Sequence, residues 1–186
     1  MAEAAAAANK GSGVSPKLAA NRRLGLAVAG GVLVLDQLVK WIVLNPLQLV
    51  ERSIGGEGIP ILPFFRLIFT ANPGVSMGFL TANSEVQRWL LVGLTAAISI
   101  FVFFWMWREK RRDDSIALAL VLGGALGNIL DRIRLGHVVD FADLHFGDIH
   151  PFLVFNVGDA AITIGVLLLL VRALLTGDRK KLSEDK

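Results

Sequence analysis

The stretch Gly123-Gly124-Ala125-Leu126-Gly127-Asn128-Ile129-Leu130-Asp131-Arg132 combines closely spaced glycines with polar side chains at the end of an apolar segment. Two more polar groups follow, in Val138-Val139-Asp140-Phe141 and in Phe155-Asn156-Val157-Gly158-Asp159, and the second opens another apolar segment. Polar side chains are costly in lipid, so their concentration at the mouth of membrane helices usually serves a function. We therefore expect the fold to be organised around residues 123–159.

The composition of the 186-residue chain is that of a membrane protein. Hydrophobic residues make up 54% of it and the mean hydropathy is +0.59, which is too apolar for a soluble domain of this size. The absence of cysteine excludes disulfides, thiol nucleophiles and cysteine metal ligands. The formal net charge is only +3, but the basic residues are unevenly distributed.

Four apolar segments have the length and composition of membrane-spanning helices. They run over about 24–44, 86–107, 115–130 and 157–175, and the four tryptophans lie near their ends, where interfacial rings are favoured. The first segment follows the basic pair Arg22-Arg23, as the apolar part of a signal peptide would. Its length and the lack of a small-residue cleavage site favour a retained span instead. The sequence thus predicts an all-α membrane protein with four transmembrane helices.

Residues 45–84 form a different kind of segment, because their prolines and glycines forbid a long helix. Phe64-Phe65-Arg66-Leu67-Ile68-Phe69 predicts a strand, and Asn72-Pro73-Gly74 predicts a turn. We expect a small extracytoplasmic β-cradle followed by a short amphipathic helix. An inert connecting loop is the alternative, but the length and apolar content favour contact with lipid or substrate.

Basic residues cluster in the N-terminal tail, in residues 108–112 and in the C-terminal tail. With four spans these three places share one side of the membrane, and the positive-inside rule makes that side the cytoplasm. The chain then divides into a disordered cytoplasmic tail over 1–23, a membrane domain over 24–175 and a second cytoplasmic tail over 176–186. The β-cradle is inserted into the membrane domain at 45–84.

The rise of an α-helix brings acidic side chains of three spans to similar depths. Asp36 lies thirteen residues past Arg23 and Asp159 lies thirteen before Arg172, so each is about 20 Å from the cytoplasmic face. On the same rise Asp131 lies about 25 Å from that face. We therefore expect the polar groups of three separate helices to converge on the outer third of the bilayer.

Two carboxylates are the candidate catalytic groups, since neither a serine-hydrolase motif nor a zinc-hydrolase motif is present. Two nearby acids cannot both ionise cheaply, so one keeps a proton while the other acts as a base, which suits peptide hydrolysis. Asp140 and Asp159 fit this chemistry because each follows an apolar run near the outer face. Asp131-Arg132 is better explained as an internal ion pair or a helix-end brace, and Asp143 and Asp148 as solvated loop residues.

Metal and cofactor chemistry are not expected. The spacings of His137, His145 and His150 match no helical ligand pair, so these side chains are expected at the surface or facing substrate. Asp36 and Lys40 are four residues apart on one helical face and can neutralise each other. A second interpretation, compatible with the first, is that Asp36 faces a polar interior.

Taken together, the motifs resemble those of lipoprotein signal peptidase, the type II signal peptidase of bacteria. The resemblance covers about Leu24 to Leu175 and rests on five motifs that occur in order between four spans. They are Asp36-Gln37-x-x-Lys40, Asn72-x-Gly74, Gly123-Gly124-x-x-Gly127-Asn128-x-x-Asp131-Arg132, Val139-Asp140-Phe141 and Phe155-Asn156-x-x-Asp159.

The resemblance implies an aspartic endopeptidase of the bacterial cytoplasmic (inner) membrane, with both termini cytoplasmic and the active site near the outer face. Such an enzyme removes the signal peptide from prolipoproteins, cutting N-terminal to a diacylglyceryl-modified cysteine, and is inhibited by cyclic peptides of the globomycin type. Asp140 and Asp159 match the catalytic aspartates, which activate a water. The residues that match supporting or substrate-binding positions are Asp36, Lys40, Asn72, Asn128, Arg132 and Asn156.

Other functions remain open from the residues alone. A small transporter or channel would also carry Asp and Asn side chains in the membrane, to relay protons or cations. A purely structural membrane scaffold would leave the intramembrane acids unexplained. A presenilin-type protease is disfavoured, because the chain has no tyrosine for a Tyr-Asp motif and Asn156 stands where the first glycine of G-x-G-D is required.

The predicted topology can be tested by labelling single cysteines introduced into the cysteine-free chain. Cysteines at Ser12, Ser53, Asp113 and His145 should react with an impermeant reagent from outside only at Ser53 and His145. The reason is that the basic segments flank the same ends of all four spans. External labelling at Asp113 would overturn the orientation.

Overall fold

The computed structural model describes residues 15–74, 84–147 and 149–184, and it contains the four long apolar helices that the sequence predicts. They are α1 (Pro16–Leu44), α3 (Ser84–Arg108), α4 (Arg112–Leu135) and α5 (Val157–Glu184). A four-residue helix, α2 (Leu49–Arg52), follows α1. Each long helix is apolar and long enough to cross a membrane.

Helix α4 is the centre of the bundle, and α1, α3 and α5 pack around it. In its most apolar stretch 56% of the residues are buried, against 17–22% in the other three helices. Its inward positions are small or aliphatic, among them Ala117, Ala119 and Leu122, so neighbouring helices can approach closely. The outward faces of the other helices carry exposed Leu, Ile, Val and Phe side chains, as lipid-facing surfaces do.

Three glycines of α4 mark the points of closest approach. A Cβ atom on Gly123 would overlap the carbonyl of Ala29 in α1, and one on Gly124 would overlap the carbonyl of Gly158 in α5. At Gly127 the added carbon would overlap the carboxylate of Asp36. The glycine run therefore brings α4 against α1, as expected, and also against the start of α5.

A three-stranded antiparallel sheet covers one end of the bundle, in the order β1 (Ile59–Leu62), β2 (Phe65–Asn72), β3 (Val138–Leu144). The strand expected over Phe64–Phe69 corresponds to β2, which is longer. In the register of β2 and β3, Thr70 pairs with Asp140 and Asn72 pairs with Val138. Strand β3 was not predicted from the sequence, because its two aspartates interrupt the run of β-branched and aromatic residues.

Helix boundaries differ from the predicted spans, chiefly at the ends away from the sheet. Helix α1 already begins at Pro16, inside the segment expected to be a disordered tail, since Asn21 donates to Lys110 O at 2.8 Å and Arg22 to Trp107 O at 2.8 Å. Helix α5 likewise continues past Leu175. At the sheet end α4 extends five residues beyond its predicted limit and stops at Gly136, whose φ of 84° is accessible to glycine.

The amphipathic helix expected after the strands falls largely on residues 75–83, which lie outside the described residues. The short helix that is described, α2, precedes the sheet. It belongs to an apolar cluster beneath the strands, in which Leu49, Val43, Phe141 and Ala142 are buried. This cluster attaches the sheet to the end of α1.

Close helix packing at Gly124 can be tested by Gly124→Ala. The added carbon would overlap the Gly158 carbonyl, and overpacking of this kind costs about 1–3 kcal/mol in unfolding free energy. Gly93→Ala is the matched control, because a Cβ there meets no atom within 4 Å and alanine favours the helix. Thermal unfolding in detergent should show a lower Tm for Gly124→Ala only. Equal Tm values for both variants would refute the packing.

Candidate active site

Asp140 and Asp159, the two aspartates predicted to form a dyad, lie on different elements that meet at the sheet end of the bundle. Asp140 lies in β3 and is 1% exposed, whereas Asp159 is half-buried in the first turn of α5. Asn156, the residue before α5, accepts the amide N–H of Asp159 at 2.9 Å, and Asp159 Oδ2 accepts the amide N–H of Asn156 at 3.2 Å. This reciprocal arrangement is that of a capping box, and it fixes Asp159 to the start of its helix.

Two asparagines join the carboxylates. Asn156 Nδ2 donates to Asp140 Oδ1 at 2.7 Å and to Asn128 Oδ1 at 3.1 Å, and Asn128 Nδ2 donates to Asp159 Oδ1 at 2.8 Å. Asn156 and Asn128 are buried, so these bonds form where water competes little. A continuous chain of hydrogen bonds therefore runs from one aspartate to the other through the side-chain amides of Asn156, just before α5, and Asn128, in α4.

Asn72, the last residue of β2, contacts Asp140 from the opposite side. Its Nδ2 donates to Asp140 Oδ2 at 2.9 Å, while its Oδ1 accepts the amide N–H of Gly74 at 2.8 Å. Both oxygens of Asp140 are thus occupied, one by an asparagine of the sheet and one by an asparagine of the helix bundle.

Lys40 lies at the centre of the polar interior and is 3% exposed. Its Nζ pairs with Asp36 at 2.8 Å and with Asp131 at 2.7 Å, and it donates to Asn128 Oδ1 at 3.2 Å. Asp131 is therefore bound to Lys40, and no ion pair with its neighbour Arg132 is formed among the described residues. The two interpretations of Asp36 both hold, since it neutralises Lys40 and also faces this polar interior.

The two carboxylates bound to Lys40 hold the elements that carry the dyad. Asp36 Oδ1 accepts the amide N–H of Gly158, in the first turn of α5, at 2.9 Å. Asp131 Oδ2 accepts the amide N–H of Val139, next to Asp140, at 3.2 Å. Sequence reasoning assigned no role to Gln37, whose amide bridges Asp131 at 2.9 Å and Asp36 at 3.2 Å.

Arg132 contributes positive charge at the edge of the site. It is half-buried and interacts electrostatically with Asp159, Asp140 and Asp131, and its Nη1 reaches Asn128 O at 3.5 Å. Its Nε is buried without a hydrogen-bond partner in the part of the chain that the structure describes. The guanidinium therefore retains donor capacity next to the dyad.

The protonation of Asp140 reflects its surroundings. Burial raises the pKa of Asp140 to about 6, against the hydrogen bond from Asn72, with a further upward contribution from the charge of Asp159. Asn156 and Lys40 oppose the rise more weakly. An acid whose pKa lies this close to neutrality can give up or take up a proton during a reaction.

Asp143 is not the solvated loop residue that the sequence suggested. It lies in β3, is 2% exposed, and pairs with Arg66 Nε at 2.7 Å and with His150 Nδ1 at 3.0 Å. No local sequence pattern indicates this burial, because Arg66 lies opposite Asp143 only in the register of the folded sheet. Asp148 lies outside the described residues.

The ring of His145 stacks on that of His150, with 5.8 Å between centroids, whereas His137 contacts Phe69 edge-on.

No group of three or more His, Asp or Glu side chains is placed to hold a metal ion within residues 15–74, 84–147 and 149–184. The polar interior is instead filled by carboxylates, amides and one ammonium in mutual contact. Such a site is suited to proton transfer and to polarising a bound water.

Residues 28–175 match the family model for signal peptidase (SPase) II, Peptidase_A8. The chain belongs to the signal peptidase II family. It is 56% identical over 165 residues to the lipoprotein signal peptidase of Rhizorhabdus wittichii, covering 89% of this chain and 94% of the relative. The corresponding protein of Sphingopyxis alaskensis is 49% identical, covering 88% and 92% of the two chains.

Two solved structures of bacterial membrane enzymes share the fold. One has a TM-score of 0.67 at 26% identity, covering 81% of this chain and 92% of its own. The other has a TM-score of 0.65 at 24% identity, covering 84% and 91%. Signal peptidase II is a membrane aspartic peptidase of prolipoproteins, so this chain is an aspartic endopeptidase with several membrane-spanning helices.

The stabilising role of Lys40 can be tested by Lys40→Met. The substitution leaves two buried carboxylates without their cation, and breaking a buried ion pair by removing one partner costs about 3–5 kcal/mol. Lys17→Met is the control, because Lys17 is exposed on the same helix and its loss should change stability by no more than about 0.5 kcal/mol. Unfolding of both variants in detergent decides. A Lys40→Met protein as stable as Lys17→Met would contradict the network.

Proposed function

We propose that Asp140 and Asp159 activate a water to remove the signal peptide from prolipoproteins, cutting on the N-terminal side of a diacylglyceryl-modified cysteine. One observation carries this assignment. Two carboxylates from separate elements are joined through Asn156 and Asn128, and one of them has a pKa suited to proton transfer at moderate pH. Two acids sharing one proton supply the base and the acid that peptide hydrolysis requires.

In the proposed reaction the ionised carboxylate removes a proton from water as its oxygen attacks the scissile carbonyl. The protonated carboxyl supports the developing oxyanion. Collapse of the tetrahedral intermediate breaks the C–N bond, and the leaving amine of the modified cysteine takes a proton from the dyad. The dyad ends the cycle with the one proton with which it began, so no cofactor is required.

The six other predicted site residues fall into three proposed roles. Asn72, Asn128 and Asn156 orient the dyad by direct hydrogen bonds, and Asp36 and Lys40 hold the elements beneath it. Arg132 is the residue we assign to substrate contact, because its guanidinium retains a buried unsatisfied donor beside the dyad. A peptide carbonyl is a suitable partner for that donor.

An apolar groove of about 570 Å³ borders Asp159 on the surface of α5. Its walls include Ala160, Thr163, Ile164 and the exposed Phe152. A groove of this character beside a carboxylate is consistent with a substrate that reaches the dyad from the bilayer. Cyclic peptides of the globomycin type would compete for the same region, by resemblance to the family.

We further propose that residues 24–175 form the peptidase domain in the inner membrane, with both tails in the cytoplasm and the sheet end at the outer face. The basic clusters at the other end of the bundle support this orientation. A signal peptide anchored in the same membrane would then present its cleavage site at the depth of the dyad.

The dyad is tested by Asp140→Asn, Asp159→Asn and the double substitution. If both groups act in one step, each variant should lose at least about a hundredfold in cleavage rate, and the double variant should lose no more. Asp113→Asn, an exposed aspartate at the other end of the bundle, is the isosteric control and should cleave at the wild-type rate. Losses that multiply in the double variant, or near-normal activity in either single variant, would exclude a shared water.

The pH dependence provides a separate test. The singly protonated dyad is the active form, and Asp140 loses its proton as the pH rises through its pKa of about 6. The value of kcat/KM should therefore decline above about pH 6, and it should also decline in strong acid as the dyad takes up a second proton. A kcat/KM that keeps rising well above pH 6 would contradict the assigned proton.

A further inference from the structure

A partly buried ion pair connects the two strands that carry Asn72 and Asp140. Arg66 of β2 and Asp143 of β3 are partners in the register, and Arg66 Nε lies 2.7 Å from Asp143 Oδ2. The side chain of Asp143 is 2% exposed and that of Arg66 is 27% exposed, so the carboxylate is buried and the guanidinium reaches the surface. The mechanism proposed above does not use either residue.

The ladder between these strands is irregular next to the dyad. Regular pairing runs from Phe65 to Leu67, the register then shifts, and pairing resumes at Thr70 opposite Asp140. A shift of one residue turns every following side chain to the other face of a strand. Asn72 faces Asp140 only if the strand keeps its register beyond the irregularity.

Both members of the ion pair make further contacts. Arg66 Nη1 also donates to Gly56 O at 3.1 Å, which attaches the turn before β1. Asp143 Oδ1 forms a hydrogen bond with His150 Nδ1 at 3.0 Å. The Nδ1 atom of His145 lies 3.7 Å from Asp143 Oδ2, the oxygen that contacts Arg66. Burial alone would raise the pKa of Asp143, but its contacts with Arg66 and His150 keep that pKa below the ordinary value, so the carboxylate stays ionised.

We propose that Arg66 and Asp143 are positioning residues that fix the register of β2 on β3 and thereby keep Asn72 bonded to Asp140. The inference rests on the proposed function, since it concerns the same dyad. Asp143 lies three residues after Asp140 in β3, and its ion pair with Arg66 acts on the Asp140 carboxyl through Asn72 of the neighbouring strand β2.

The consequence is a specific change in protonation. The hydrogen bond from Asn72 holds the pKa of Asp140 down. When the register slips, that bond is lost and the pKa of Asp140 rises. The charged groups that face Asp140 from the helices, Asp159, Lys40 and Arg132, are held by contacts of their own and stay in place.

The test measures kcat/KM against pH for Arg66→Met, Asp143→Asn and Asn72→Ala on a lipid-modified precursor. Each variant should move the alkaline decline upward by about one pH unit, the equivalent of one hydrogen bond to a carboxyl group. The first two substitutions remove charges of opposite sign, so direct electrostatic effects on Asp140 would move the decline in opposite directions. A shift in the same direction therefore reports the lost contact.

Three further variants complete the set. Arg66→Met combined with Asn72→Ala should shift the decline no further than either alone, because both remove the same bond. Arg66→Lys keeps the charge opposite Asp143 and should return the decline towards the wild-type pH. Arg52→Met removes an exposed arginine near the same sheet and should leave the profile unchanged.

Register is also measurable without activity. Ala71 and Val139 are paired positions, so cysteines placed there should cross-link on oxidation in an otherwise wild-type chain. Adding Arg66→Met should lower the cross-linking yield several-fold, whereas adding Arg52→Met should not.

The inference is overturned if Arg66→Met leaves both the alkaline decline and the cross-linking yield unchanged, or if Asp143→Asn and Arg66→Met shift the decline in opposite directions. These outcomes differ from failure of the proposed function, which would appear as undiminished cleavage by Asp140→Asn. The cross-linking result decides the register even in that event.

Discussion

The structure depends on one buried ammonium group. Lys40 neutralises Asp36 and Asp131 in the interior of a helix bundle, where an unpaired charge would be prohibitively costly. Each of these carboxylates then accepts a backbone N–H from an element that carries one member of the dyad. Asp36 binds the first turn of α5, and Asp131 binds β3. A single cation thus relates the positions of Asp140 and Asp159.

This arrangement explains where the two elements that carry Asp140 and Asp159, β3 and α5, begin. In lipid every backbone polar group must be satisfied within the protein, so an irregular junction is tolerated only where side chains bond its amides. Around residues 131–159 the bonding groups are carboxylates and asparagines. The same side chains that satisfy the backbone also surround the dyad, which is an economical way to place chemistry at the end of a membrane bundle.

The four helices and the clustering of the acidic residues can be predicted from the sequence, because they follow from the lengths of the apolar segments and the spacing of the acids. Hydropathy predicts four spans, and the rise of an α-helix predicts similar depths for Asp36, Asp131 and Asp159. The glycines of α4 predicted close approach, and the structure adds that Gly124 meets α5. The sequence places residues 16–23 in the tail, because the contacts that extend α1 come from the distant end of α3 and the residues just after it, Trp107 and Lys110.

The pairing of β2 with β3 could not be predicted from the sequence, because it joins segments that are far apart in the chain. Strand β3 pairs with β2, and the contacting residues Asn72 and Asp140 are sixty-eight positions apart in the sequence. The aspartates of β3 make its sequence resemble that of a loop. The burial of Asp143 could not be inferred without knowing that Arg66 stands opposite. Local patterns thus predict the helices, strand β2 and the acids, whereas β3 and the ion pair with Arg66 depend on tertiary contacts.

The most direct measurement is the cleavage of a matched pair of precursor peptides by the purified protein in detergent, with the products identified by mass spectrometry. The peptides have the same sequence, and only one carries diacylglyceryl on its cysteine. The account predicts a single cut, immediately N-terminal to the modified cysteine, and far slower turnover of the unmodified peptide. Equal rates for the two peptides, or a cut at another bond, would contradict it.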